Sequence, residues 1–276
     1  MTHLDLFSGI GGFALAADRV FDDVEHIFVE IDPFCQKVLR KHWKESEIYG
    51  DIRTITNTEG ARARENEQGV RCLPNRYFDR KQTYLLTGGF PCQPFSQAGK
   101  RGGTADNRYL WPEMFRVIRE FQPTWIIAEN VRGLLTWNEG LVFEQVCADL
   151  ENEGYEVQPF IIPACSLNAP HRRDRVWFVA NRTVTGRQGN GLQRQGRSGQ
   201  PSGDGKNEKQ NSIQLPSWDE NWTEIAAELC RMDDGIPSGL DEFSGYTKAR
   251  HRQERLKALG NAIVPQVAEQ IMRGML

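Results

Sequence analysis

The chain has 276 residues, 39% hydrophobic and 26% charged, with a formal net charge of -3. This composition excludes a disordered polymer, no apolar run is long enough to span a bilayer, and a balance this close to neutral excludes a uniformly basic nucleic-acid binder, so any nucleic-acid surface is local. The opening MTHLDLFSGIGGF has no basic segment ahead of an apolar stretch, so no signal peptide and a cytoplasmic location are expected. The six cysteines show neither C-x-x-C pairing nor zinc-ligand spacing with histidine, which predicts reduced thiols and no metal site.

Residues 3–7 read as a short apolar strand, followed by a glycine turn and a helix over 12–20. A second strand is predicted at 26–31 and a helix at 33–43, where Pro33 suits the first helical position. Short strands follow at 48–52 and 84–90, a helix at 112–121, a strongly apolar strand at 125–130, and a helix at 141–153 closed by Gly154. Further strands are predicted at 157–162 and 176–180, and a last helix at 264–275. Strands alternating with helices predict an α/β fold with a doubly wound, mostly parallel sheet, whose ligands sit at the carboxyl ends of the strands.

Two polar stretches interrupt this rhythm. Residues 54–82 lack periodicity and read as a surface insertion. Residues 182–212 are almost without apolar side chains, and Arg and Lys outnumber Asp and Glu there. They read either as a flexible loop or as a basic segment on a phosphate backbone. A main domain over 1–180, to which 257–276 return, and a small region over 181–256 fit the length.

The residues that can carry chemistry cluster at predicted strand ends. In DLFSGIGGF, Gly9, Gly11 and Gly12 let the backbone turn tightly into a helix, which cradles a nucleotide-like ligand. Glu30 ends the second strand and can accept from ribose hydroxyls, and Asp51 ends the third and can accept from an adenine amino group. In YLLTGGFPCQPFS, a buried strand runs into Pro91-Cys92. One cysteine after a strand is most often a small buried hydrophobe, but flanking prolines and the polar sequence beyond favour an exposed, positioned thiol. The glycine-rich, basic QAGKRGGT that follows suits a loop closing over phosphates. Glu129 ends the apolar strand. Arg173 and Arg175, two apart, can face one side of an extended segment.

GGFPCQPFS resembles the nucleophile motif of the cytosine-5 DNA methyltransferases, of bacterial or phage type. DLFSGIGGF resembles the family's first cofactor motif, Glu129-Asn130-Val131 its glutamate motif, 171–175 its arginine motif and 260–265 its last motif, in the family's usual order. Where that arginine motif commonly begins with glutamine, this chain has His171. The resemblance implies the S-adenosylmethionine-dependent methyltransferase fold, with 181–256 as a small target-recognition region. It implies a monomer acting on double-stranded DNA, with base flipping, as in restriction–modification enzymes. Cys92 would add to carbon 6 of cytosine, Glu129 would assist at N3, Arg175 would lie near the base and Arg173 would support the site. Phe7, Gly9, Gly11, Glu30, Asp51, Leu110 and Asn261 would line the cofactor site, and Ser96, Lys100 and Arg101 would meet DNA.

Three other readings stay open on sequence alone. An RNA cytosine-5 methyltransferase would share these motifs. A catalytically silent DNA-binding protein would keep the fold, though intact Cys92, Glu129, Arg173 and Arg175 count against it. A nicotinamide oxidoreductase is suggested only by the glycine turn, which does not match G-x-G-x-x-G.

Overall fold

The computed structural model describes residues 1–56, 71–72, 84–91, 109–167, 172–182 and 248–276. In chain order these form β1 (Thr2–Leu6), α1 (Gly12–Val20), β2 (Glu25–Val29), α2 (Pro33–His42) and β3 (Glu47–Tyr49). The short strands β4 (Ile55–Thr56) and β5 (Arg71–Cys72) pair with each other in parallel, apart from the main sheet. Then come β6 (Tyr84–Gly89), α3 (Trp111–Phe121), β7 (Trp125–Val131), α4 (Leu141–Asn152), β8 (Glu156–Pro163) and β9 (Asp174–Asn181). The described chain closes with α5 (Lys248–Asn261) and α6 (Pro265–Arg273).

Among the described residues, a seven-stranded sheet runs in the order β3-β2-β1-β6-β7-β9-β8. The first five strands are mutually parallel, as the alternating pattern predicts. The last two are not: β9 is antiparallel to both β7 and β8. Only residues 164–173 separate β8 from β9, too few for the dozen or so that a crossover helix needs, so the chain turns straight back. Strand order reverses at β1, which has β2 on one side and β6 on the other. A crevice opens at the carboxyl ends of the strands at such a reversal.

Period-two alternation divides the apolar side chains between two faces. Leu4, Leu6, Ile27, Val29, Leu86, Ile126, Ala128, Val176 and Phe178 pack with Trp111, Met114, Val117 and Ile118 of α3 and Val146 and Leu150 of α4. Leu85, Ile127 and Trp177 point the other way, against Phe13, Ala16 and Ala17 of α1 and Val267, Ala268 and Met272 of α6. Burial of such side chains, at about 1.5–3 kcal/mol each, is the main force holding these layers together.

Local signals fix the helix starts. Asp32 caps α2 by accepting from the Phe34 N–H, with Pro33 next in line. Gly11 enters α1 at φ 85°. A Cβ on Gly11 would lie 2.5 Å from the Trp43 ring, and one on Gly12 2.7 Å from Ile263, so both sites require glycine for packing.

Three expectations change in detail. The predicted strand at 48–52 stops at Tyr49, because the Asp51 carboxylate accepts from the Arg53 N–H and starts a short 3-10 turn, Ile52–Thr54. Within the polar stretch 54–82, Ile55 is buried in the core. Helix α5 begins inside the region expected over 181–256 and runs on into the main domain. Residues 57–70, 73–83 and 183–247 lie outside the described residues.

Candidate functional site

A cavity of about 420 Å³ opens over the carboxyl ends of β1, β2, β3, β6 and β7. Phe7, Gly9, Glu30, Asp51, Leu110 and Asn261 all line it, and so do Glu129 and Arg175. Gly11 does not; it serves the turn behind the wall, against Trp43. Cys92, Ser96, Lys100, Arg101 and His171 lie outside the described residues. Both ends of the segment that carries Cys92 are described: Pro91 and Leu110 line the cavity, and the Leu110 N–H reaches the Pro91 carbonyl at 3.4 Å.

At one end of the cavity the chain presents carboxylates. Glu30 accepts the Gly9 N–H at 2.6 Å on one oxygen and the Asp32 N–H at 2.7 Å on the other. The Ile31 N–H also favours its anion, and a carboxylate's roughly four acceptor sites still leave room for a ligand hydroxyl. Burial raises the Glu30 carboxyl above its ordinary value, against these main-chain hydrogen bonds. Phe7 takes φ 55° and Gly9 the same value, left-handed geometry that is uncommon for phenylalanine. A Cβ on Gly9 would meet nothing within 4 Å, so its backbone stands bare toward the cavity. Ile31, 66% exposed, adds an apolar surface at the rim. Asp32 is bridged to Lys257 of α5 at 2.6 Å, which closes α5 onto the start of α2.

At the other end stand Glu129 and Arg175. The Arg175 Nε lies 2.7 Å from Glu129 Oε1, with the two side chains 19% and 11% exposed. Burial raises the Glu129 carboxyl, and the charges of Arg175 and Arg173 oppose the shift without cancelling it. A Cβ on Gly89 would come 3.2 Å from Glu129 Oε2, so glycine there leaves the carboxylate its room. Arg173 does not line the cavity. At φ 32° it stands just ahead of β9 and donates to the carbonyls of Gly260 and Ala262. It thereby ties the start of β9 to the turn that brings Asn261 to the cavity.

Two sets of contacts in the site carry no signal of their own in the sequence. Asn130 is buried, donates to the Phe90 carbonyl at 3.0 Å and accepts from the Val131 N–H, which fixes the backbone immediately before Pro91-Cys92. Arg132 and Arg172 share the Asp174 carboxylate at 2.7 and 3.0 Å while remaining 57% and 74% exposed. Both lie within three residues of the Glu129–Arg175 pair in sequence, so they stand on its flank. An Arg-rich segment around 172–175 is visible in the sequence; the sharing of one carboxylate is not.

A sheet of this order, with a carboxylate-bearing crevice at the reversal, is the Rossmann-like methyltransferase fold. The solved Dnmt2 methyltransferase of S. pombe matches it with a TM-score of 0.58 and 20% identity, over 99% of this chain and 97% of that one. Residues 1–236 match the C-5 cytosine-specific DNA methylase family, and the chain belongs to it. Relatives include the type II methyltransferase M.NlaX of Neisseria lactamica, 32% identical over 64% of this chain and 50% of that protein. The type II methyltransferase M.AluI of Cellulosimicrobium cellulans is 34% identical over 65% of this chain and 33% of its own length. The matched segment thus spans half or less of these relatives.

Proposed function

We propose that this chain is a DNA (cytosine-5)-methyltransferase, transferring a methyl group from S-adenosylmethionine to carbon 5 of a cytosine flipped out of a specific duplex sequence. The observation that carries this reading is a single cavity with Glu30 and Asp51 toward one end, Glu129 and Arg175 at the other, and Pro91, the residue before Cys92, in its wall.

The cofactor end suits its ligand chemically. Glu30 would accept from the ribose hydroxyls and Asp51 from the adenine amino group, while Phe7, Gly9, Leu110 and Asn261 line the site. Clustered carboxylates favour a cationic ligand. When bound, S-adenosylmethionine supplies an electrophilic methyl on its sulfonium.

Carbon 5 of cytosine is a weak nucleophile. The Cys92 thiolate forms a bond to carbon 6, and electron density moves into the ring so that carbon 5 becomes enamine-like. Glu129, its carboxyl raised by burial, donates to N3 as that nitrogen gains charge. Arg175 holds Glu129 and approaches the base, and Arg173 holds the surrounding backbone. After methylation a base takes the proton from carbon 5, and the Cys92–carbon 6 bond breaks to restore the ring.

Duplex DNA would lie across the rim, with phosphates near Arg132 and Arg172 and near Ser96, Lys100 and Arg101. Residues 181–256 would act as the small target-recognition region. Incubation with methyl-labelled S-adenosylmethionine and either duplex DNA or transfer RNA tests the reading. Label on DNA is expected; label on RNA alone contradicts it.

A further inference from the structure

Behind the cavity wall, on the α1 face of the sheet, five side chains form an unbroken hydrogen-bonded line. Asp18 of α1 stands at its outer end, 42% exposed, with Oδ1 2.8 Å from His26 Nε2. His26 Nδ1 lies 2.8 Å from His3 Nδ1, and His3 Nε2 lies 2.8 Å from Thr87 Oγ1. Thr87 Oγ1 then meets Asp5 Oδ1 at 2.7 Å. Strand register builds this line: His3 pairs with His26 across β1 and β2, and Asp5 pairs with Thr87 across β1 and β6. His3, Asp5 and Thr87 are fully buried.

Proton counting constrains the line tightly. Asp18 only accepts: its partial burial works against ionisation, but hydrogen bonds from His26 and Trp43 hold its carboxyl below the usual range. His26 Nε2 must therefore donate to it. Burial, with His26 beside it, keeps His3 neutral, with one ring proton. At one fixed proton count, with no proton on Asp5 Oδ2, two arrangements then satisfy all four hydrogen bonds. In the first, His26 is an imidazolium donating to His3 Nδ1, His3 Nε2–H donates to Thr87, and Thr87 donates to an Asp5 carboxylate. In the second, Asp5 is a carboxylic acid donating to Thr87, Thr87 donates to His3 Nε2, His3 Nδ1–H donates to His26, and His26 is neutral.

The two arrangements hold the same number of protons. Three concerted hops convert the first into the second, from His26 Nδ1 to His3 Nδ1, from His3 Nε2 to Thr87 Oγ1, and from Thr87 Oγ1 to Asp5 Oδ1. Nothing enters from solvent, and one positive charge leaves His26 as one negative charge leaves Asp5.

Asp5 is where this matters. It lies two residues before Phe7 and feels the charge of Glu30, and both Phe7 and Glu30 line the cavity. Among the described residues its buried Oδ2 has no hydrogen-bond partner, so an anion there is poorly compensated unless a cation is near. Burial and Glu30 raise its carboxyl to about 8, against the Thr87 hydrogen bond, which favours the second arrangement.

We propose that Asp18, His26, His3 and Thr87 form an internal proton relay that makes Asp5 anionic when a sulfonium occupies the cavity and neutral when the uncharged thioether product does. This rests on the cofactor reading above. The relay would favour the methyl donor over its product without exchanging a proton with solvent. Its residues position charge and touch neither substrate nor ligand.

Nitrogen-15 NMR of the full chain, labelled at histidine, reads the two arrangements directly, with calorimetry as the binding control. With S-adenosylmethionine, His26 should become an imidazolium and His3 should carry its proton on Nε2. With S-adenosylhomocysteine, His26 should be neutral and His3 should be protonated on Nδ1. Thr87→Val should abolish that difference and lower the donor-to-product affinity ratio several-fold, while Thr87→Ser should keep both. If Thr87→Val does not fold, Asp5→Asn, which fixes a neutral group at the inner end, should likewise abolish the difference. Binding of both ligands with identical histidine spectra overturns the relay alone. Binding of neither overturns the cofactor reading and the relay with it.

Discussion

The Arg175 guanidinium and the Glu129 carboxylate meet at 2.7 Å across the β7–β9 pair. Their positions are diagonal in the antiparallel register, in which Val131 faces Arg175 and Glu129 faces Trp177. Same-face diagonal neighbours are within reach of a long side chain. This pairing requires β9 to run antiparallel beside β7, so the departure from an all-parallel sheet brings the arginine segment to the glutamate.

Glu129→Gln keeps the size of the side chain and removes its acid. Methyl transfer to duplex DNA should fall by about 10²–10⁴-fold, the usual range for a lost acid–base group. The far-UV circular dichroism should be unchanged. Activity within a few-fold of wild type would remove Glu129 from the chemistry.

Arg132 and Arg172 place two exposed cations on one carboxylate, leaving a net positive charge at the rim. Replacing both with alanine should weaken duplex binding and make the slope of log affinity against log salt shallower by about 0.9 for each phosphate that these arginines neutralise. Fluorescence anisotropy at several salt concentrations measures this. A parallel salt line would mean that these arginines only brace Asp174.

Gly11→Ala forces a side chain into left-handed backbone and against Trp43. Strain and overpacking together should cost about 2–5 kcal/mol. Urea unfolding should show it as a lower midpoint with an unchanged slope. A neutral result would mean that the turn has another conformation open to it.

Asp5 gives a pH signature. Burial raises its folded pKa from 3.8 to about 8, so the native state holds a proton that the unfolded chain releases. Its favourable contribution is complete below about pH 4 and is lost as pH rises toward about 8. Asp5→Asn has no such proton, so its stability relative to wild type should improve steadily across that window. Denaturation curves at several pH values would decide it; a constant difference would contradict the protonated Asp5.

Much of the fold was legible because buried parallel strands read as apolar runs and because Pro33, Gly154 and the 9–12 turn mark their helices. The cavity ends were legible at Glu30 and Glu129, whose carboxylates end apolar strands. Helix α5 was not: among its described side chains only Ala258 and Leu259 join the core, too few to leave an apolar stripe to read in KARHRQERLKALGN. The direction of β8 and β9 was not, because it depends on the length of the connection and not on the strands. The buried line from Asp18 to Asp5 was not, since it depends on the register that sets His3 beside His26 and Asp5 beside Thr87.

The most direct test of the central claim is base analysis of duplex DNA after incubation with this chain and methyl-labelled S-adenosylmethionine. Mass spectrometry of the digested DNA should show 5-methyldeoxycytidine with the wild-type chain and none with Cys92→Ala. DNA carrying 5-fluorocytosine should trap the wild-type chain covalently. Absence of 5-methyldeoxycytidine with the wild-type chain, or its undiminished formation by Cys92→Ala, would contradict a Cys92-dependent cytosine methyltransferase.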